Sequence, residues 1–244
     1  MAKPAAQNQV HLPADFEQVF AVAEPIGGWL TVEQAFLLYR QARAVDRPGA
    51  VIVEIGSHQG RSTVVLALAA PDSTVIAVDP FVDGAMFGGL GTKEKFEANL
   101  QRAKVTDRVE LVQAKSTDRR QAWERPFELL YIDGKHDYWT VTDDLKWATH
   151  LPEGGSVLIH DAFSSIGVTL GLLRWVLPGT QLRYVGRAGS LAHFEKRRPS
   201  LADRARFIRQ LPWWVRNVAI KVLLRLRLYP LARLAGHHDK ADPY

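Results

Sequence analysis

Four acidic residues stand at or near the ends of apolar runs. Glu54 lies in Val51-Ile52-Val53-Glu54-Ile55, and Asp79 follows Val75-Ile76-Ala77-Val78. Asp133 follows Leu129-Leu130-Tyr131-Ile132, and Asp161 follows Val157-Leu158-Ile159-His160. One acid at a strand end means little; four at the same edge of one sheet gather carboxylates at a single mouth. Between the first two lies Gly56-Ser57-His58-Gln59-Gly60, leading into Arg61-Ser62-Thr63 and an apolar run. A strand, a Gly-bearing turn and a helix N-terminus form a mouth for a nucleotide-type ligand, because Gly lets the backbone approach closely and the helix offers free N–H donors. Asp79, 25 residues after Glu54, can accept both hydroxyls of a ribose; its plainer role is a turn cap before Pro80. The turn has His58 where a dinucleotide fingerprint wants its middle Gly, so it suits a nucleoside without phosphates better than a pyrophosphate.

The elements that must position these residues alternate. Short β-branched runs at 51–55, 75–78, 109–112, 127–132 and 156–159 read as buried strands. Helices are expected over 13–25, from the N-cap Thr31 to Ala42, from Val64 to Ala70, and over 93–103, 139–150 and 170–176. Leu182 to Val185 and Ser190 to Phe194, separated by a Gly-containing turn, predict a terminal antiparallel hairpin. The expected fold is α/β: a doubly wound, mostly parallel, seven-stranded Rossmann-like sheet with helical additions at both ends. Its parts are an N-terminal arm and cap (1–30), the main domain (31–198) and a basic C-terminal extension (199–244). Residues 81–92, with four Gly and Phe81, Met86 and Phe87, read as a lid over the mouth or as a disordered loop.

The chain has 244 residues, 47% of them apolar, and no cysteine, which excludes disulfides and Cys-based zinc sites. Met1 to Val10 has no apolar stretch of the secretory kind, so a cytoplasmic protein is expected. The net charge is +5, but it is unevenly placed. Between Ser200 and Arg233 eight Arg or Lys face one acid, Asp203, while the main domain is near neutral. Nucleic-acid binding by the whole protein is therefore not indicated.

Four segments taken together are more specific. Val53-Glu54-Ile55-Gly56-Ser57-His58-Gln59-Gly60-Arg61-Ser62-Thr63, Val78-Asp79-Pro80-Phe81, Tyr131-Ile132-Asp133-Gly134-Lys135-His136-Asp137-Tyr138 and Gly154-Gly155-Ser156-Val157-Leu158-Ile159-His160-Asp161 resemble class I S-adenosylmethionine-dependent methyltransferases. Within them the chain is most similar to the group of macrolide-sugar O-methyltransferases and cephalosporin-hydroxylase-like proteins. The resemblance spans Trp29 to Lys196. It implies that S-adenosylmethionine lies against Gly56, Ser57, Gly60 and Ser62, with Glu54 below, Asp79 on the ribose, Ser116 near the adenine and Asp133 beside the cofactor. It also implies a divalent cation, Mg²⁺ in the first instance, on Asp133, Asp161 and either His160 or the non-ligating Ala162. The alternative is that His160 packs beside its strand and no metal binds.

The resemblance implies methyl transfer to oxygen, on a hydroxyl of a sugar, glycoside or related metabolite. A sugar hydroxyl is a very weak acid, so loss of its proton needs a base. His136 is the first candidate and His160 the second; His136 could equally be a turn residue capping the next helix. A hydroxylase-like member of the group is disfavoured by the lack of a His-rich iron triad. A cofactor-binding scaffold without turnover is the non-enzymatic alternative, and a glycolipid is an alternative acceptor.

The C-terminal extension reads as one helix over 211–230, too rich in cations to span a bilayer. Trp214, Val215, Val218, Val222 and Leu226 share one side, and Ile220, Leu224 and Leu228 form a second stripe. One stripe suits an anionic membrane surface; two suit packing on the domain or across a homodimer, which is the expected assembly.

Overall fold

The computed structural model describes residues 12–82 and 88–238. A seven-stranded sheet has the order β3-β2-β1-β4-β5-β7-β6. Its strands are β1 (Val51–Ile55), β2 (Thr74–Val78), β3 (Val109–Val112), β4 (Leu129–Ile132), β5 (Ser156–Ile159), β6 (Leu182–Ala188) and β7 (Leu191–Lys196). The first five pair in parallel, and β7 runs antiparallel to both β5 and β6. The expected fold class and its terminal hairpin are thus present.

The central strands are apolar at nearly every position because both faces are covered. Alternate residues divide between two cores. Ile52, Val75, Ala77, Leu129 and Tyr131 face a core closed by α1 (Ala14–Ala23), α2 (Val32–Val45), α3 (Arg61–Ala69) and α4 (Leu90–Ala103). Val51, Val53, Ile55, Leu130 and Ile132 face a second core with Trp147, Phe194 and Phe207. This strand parity decides where Glu54 points. It shares the face of Ile52, towards α3, and is fully buried.

Several elements differ from expectation. A short helix, α5 (Ser116–Gln121), follows β3; six polar residues have no apolar periodicity to announce it. The helix expected over 139–150 is α-helical only as α6 (Tyr138–Asp144) and tightens to a 3-10 turn over Leu145–His150. The next helix, α7 (Ile166–Trp175), starts four residues earlier than expected. The C-terminal extension holds three helices where one was expected: α8 (Leu201–Ile208), α9 (Leu211–Arg225) and α10 (Tyr229–Leu234). The chain breaks between α9 and α10, where Arg227 is left-handed at φ 59. α8 starts with a capping box in which Ser200 and Asp203 exchange bonds.

The arm at residues 1–11 and the lid segment 83–87, including Met86 and Phe87, lie outside the described residues. Of the lid aromatics Phe81 is described. It is buried and packs on Phe96, ring centres 5.7 Å apart, so it belongs to the core beneath the mouth.

Candidate active site

Parallel βα units direct strand ends and helix N-termini to one edge, and the four acids reach that edge with different duties. Glu54 lies below it. The hydroxyls of Ser62 (2.5 Å) and Thr63 donate to its two oxygens. Burial outweighs these bonds and pushes its carboxyl up to about 7. Ser62, expected against the cofactor, is thereby engaged with Glu54 and ties the first turn of α3 to β1. Ser57 is buried beside Glu54.

Asp79 organises the turn. Its Oδ2 accepts from the backbone N–H groups of Ser57 (2.9 Å) and His58 (3.0 Å), and its Oδ1 from that of Phe81 (2.8 Å). Gly56 threads between strands at φ 87, where a Cβ would lie 2.3 Å from the Asp133 carbonyl oxygen. Only a residue without a side chain permits that passage. Non-Gly residues in left-handed conformation gather here too: His58 (φ 48), Phe81 (φ 44) and Asp161 (φ 55). Such local strain persists where surrounding structure over-determines it, as at functional sites.

Asp133, His136, His160 and Asp161 form one cluster. His136 Nε2 is 3.4 Å from Asp133 Oδ1, and its Nδ1 is 3.2 Å from Asp161 Oδ2. His160 Nδ1 lies 3.2 Å from Asp133 Oδ1 and 3.6 Å from Asp161 Oδ1. Tyr131 Oη donates to Asp133 Oδ2 at 2.9 Å. Burial would lower both imidazoles, but the neighbouring carboxylates prevail. His136 is raised, and His160, 3% exposed, is lifted to about 9 by Asp133 and then Asp161. Burial would raise Asp133, yet His160 and His136 together hold it well below the usual carboxylate range.

The tautomer of His160 follows from its surroundings. Gln34 Oε1 accepts from Thr31 N–H at 2.9 Å, while Gln34 Nε2 donates to Ser190 Oγ at 3.0 Å. The oxygen of that amide therefore faces His160 Nε2, 3.3 Å away, and Nε2 must be a donor. Nδ1 is left pointing between two carboxylates, close to both but aligned for a hydrogen bond with neither. An orphaned imidazole nitrogen among carboxylates fits a cation, whether a proton or a metal ion. Asp133, His136 and His160 each offer an atom within 4.8 Å of the others. Asp161, expected as a ligand, sits against the opposite nitrogen of His136.

Ser116, expected near an adenine, is buried and donates to Asp144 Oδ1 at 2.6 Å. Asp144 carries no sequence signal for the site, and neither do Gln34, Ser190 and Tyr131. Burial pushes the Asp144 carboxyl up to about 7, and its Oδ2 has no partner among the described residues. The capping-box spacing Thr31-x-x-Gln34 signals the helix start; the second duty of Gln34, on His160, has no local signal. Beside the cluster, a cleft of about 190 Å³ is lined by Gly28, Trp29, Leu30, Thr31 and Arg61. Trp29 is 55% exposed, and its ring centre lies 5.7 Å from that of His58.

A sheet of this order, ending in an antiparallel hairpin and flanked by helices, is the Rossmann-like methyltransferase fold. Residues 53–162 match the family model described as a methyltransferase domain. Among solved structures the chain is similar to the cofactor-bound protein Rv0187 from MTB, at 21% identity over 78% of this chain and 93% of that one, with a TM-score of 0.58. An O-methyltransferase from Bacillus cereus in complex with SAH is 18% identical over 78% and 94% of the two chains, with a TM-score of 0.56. TomG from Streptomyces achromogenes, an O-methyltransferase of tomaymycin synthesis in complex with SAM, is 17% identical over 78% and 92%, with a TM-score of 0.56.

Proposed function

We propose that the protein transfers a methyl group from S-adenosylmethionine to a hydroxyl of a sugar, glycoside or related metabolite, assisted by a divalent cation. The observation that carries the reading is the Asp133–His136–His160–Asp161 cluster, set at the strand ends beside the Gly56–Gly60 turn. When bound, S-adenosylmethionine supplies a methyl group on a sulfonium centre, so the protein has mainly to position and deprotonate the acceptor oxygen. Asp79 and the turn it holds form the ribose end of the site. Trp29, half exposed at the mouth, offers an aromatic face on which the apolar side of a sugar ring can lie, which favours a saccharide acceptor.

Of the two candidate bases His136 is the better. It is 38% exposed, whereas His160 is buried and its pKa is about 9, so it stays charged at neutral pH. His136 is also raised, so proton removal strengthens as pH climbs past the ordinary imidazole value. Asp133 would hold the cation, with Asp161 as the proposed partner ligand, and His160 would join them only by giving up its proton, since an imidazolium has no lone pair to offer. When bound, the cation would lower the pKa of the acceptor hydroxyl. An imidazole in the set shifts the preference from Mg²⁺ towards a transition metal.

Labelled S-adenosylmethionine, offered with a panel of glycosides and of simple phenols with and without EDTA, tests the reading; label appearing only on phenols would refute the saccharide assignment. Asp79→Ala removes the acceptor of three backbone amides. A charge-assisted hydrogen bond is worth about 1.5–3 kcal/mol, so cofactor affinity by calorimetry should fall on the order of thirtyfold. Unchanged affinity would remove Asp79 from the ribose site. Manganous-ion binding, followed by electron paramagnetic resonance, should weaken roughly tenfold or more in Asp133→Ala and persist in His136→Asn. Loss in both would make His136 a ligand instead of the base.

A second reading, a glycolipid or lipid-linked saccharide acceptor, is favoured by the apolar solvent face of α9.

A further inference from the structure

Neither apolar stripe of α9 keeps to one side: Trp214 packs on the second core while Val215, Val222 and Leu226 of the same stripe are exposed, and in the other stripe Ile220 is buried while Leu228 is exposed. Ile220 is buried, and the adjacent Asn217 donates to the Phe163 carbonyl at 3.2 Å. This face fastens the helix to the segment that follows His160 and Asp161. The opposite face is open. Val215, Ala219, Val222 and Leu226 recur at helical spacing and are all exposed, Val215 by 60%, Val222 by 50% and Leu226 by 63%. α10 continues the pattern with Leu231 (48%) and Leu234 (84%). It is held beside α9 by Arg216, whose Nε donates to the Ala235 carbonyl at 3.0 Å. Around these apolar residues stand Arg225, Arg227 and Arg233, all exposed and without an ion pair among the described residues. A surface helix normally turns its apolar residues to the core and its charges to water. Here the solvent side is apolar and its rim is cationic.

We propose that the exposed face of α9 and α10 docks peripherally on an anionic lipid surface, with Val215, Val222, Leu226, Leu231 and Leu234 entering the headgroup boundary and the arginines meeting lipid phosphates. Charge selects this occupant. Leu211 to Arg233, the stretch that holds α9 and α10, carries five bases and no acid, so two copies meeting through this face would set like charges together, whereas an anionic leaflet complements both the charge and the apolar stripe. Nucleic acid would satisfy the arginines but leave the leucines and valines in water. No helix among the described residues is long and apolar enough to cross a membrane, so the contact is with the surface alone. Because α9 is fastened beside the active-site loop, docking holds the methyltransferase mouth in a fixed relation to the bilayer. The docking stands independently of methyl transfer and deepens the glycolipid reading without requiring it.

Flotation with vesicles of phosphatidylcholine, alone or mixed with phosphatidylglycerol, tests the proposal. The full chain should float with the anionic vesicles only, and raising the salt should release it. Each cation at such a surface contributes roughly fivefold to binding, so R225Q/R227Q/R233Q should weaken it on the order of a hundredfold. Val222→Asp with Leu226→Asp should abolish flotation while leaving thermal unfolding by circular dichroism unchanged, since both side chains are exposed. Equal binding to neutral vesicles, or no flotation together with a dimer that the Asp pair dissociates in analytical ultracentrifugation, would overturn it. Binding to a single-stranded RNA probe without vesicle binding would do the same. Acceptor screening plays no part in these measurements, so failure of the docking and failure of the methyltransferase reading are told apart.

Discussion

Gly56→Ala should destabilise the protein by roughly 4 kcal/mol. At φ 87 a Cβ would stand 2.3 Å from the Asp133 carbonyl oxygen and 2.7 Å from the Gly134 Cα, both backbone atoms that cannot swing aside. The left-handed conformation costs an L-residue roughly 1–2 kcal/mol, and overpacking adds roughly 1–3 kcal/mol. Gly49 supplies the control. Its φ is 83, but nothing lies within 4 Å of the position a methyl group would take, so Gly49→Ala should lose only about 1–2 kcal/mol. Urea unfolding of the two variants separates conformational strain from collision. Equal losses would show that the turn relaxes away from Asp133. The collision is also local to the site: the backbone that must retreat carries Asp133, so cofactor affinity should fall with stability in Gly56→Ala and remain in Gly49→Ala.

Glu54→Gln should stabilise the protein, and only at neutral to alkaline pH. Burial raises the folded carboxyl from 4.5 to about 7, against the hydroxyl bonds of Ser62 and Thr63. Below pH 4.5 both folded and unfolded chains are protonated there, and the group is neutral to stability. Between 4.5 and 7 the unfolded chain ionises while the folded one holds its proton, so stability declines as pH rises. Above 7 the penalty levels off at about 3 kcal/mol, at 1.36 kcal/mol for each pH unit of displacement. The Gln amide keeps the volume and can accept from one hydroxyl while donating to the other oxygen. Its advantage in urea unfolding should therefore approach 3 kcal/mol at pH 8 and shrink towards zero at pH 4.5, an order-of-magnitude figure from the same linkage. A pH-independent difference would mean that Glu54 does not titrate in this window. If the variant gains stability and loses cofactor affinity, Glu54 is a strained group retained for the site.

The strands were legible because a sheet covered on both faces needs nearly continuous apolar runs, and Val51 to Ile55 and Val75 to Val78 have no other use for that composition. Thr31 declared itself as an N-cap through its own short-range chemistry. The chemical residues Asp79, Asp133, His136, His160 and Asp161 could be picked out because they interrupt or end such runs. Short polar α5 and the break after α9 were not legible, since their signals are weak or fixed by packing.

The sequence by itself determined the alternating α/β order, the Gly-bearing turn after β1 and the concentration of positive charge in the last third, since each rests on local composition and period. Tertiary structure decided which acids meet. Strand parity sends Glu54 to the hydroxyls of α3, the turn claims Asp79, and only Asp133 and Asp161 close around the two imidazoles. Those contacts are set by strand order: β4 and β5 are neighbours, so residues 133, 136, 160 and 161 converge, while Gln34 and Ser190 arrive from the helix and hairpin that pack over them. The direction of the buried His160 proton depends on Gln34, 126 residues away along the chain, and no local pattern carries that information.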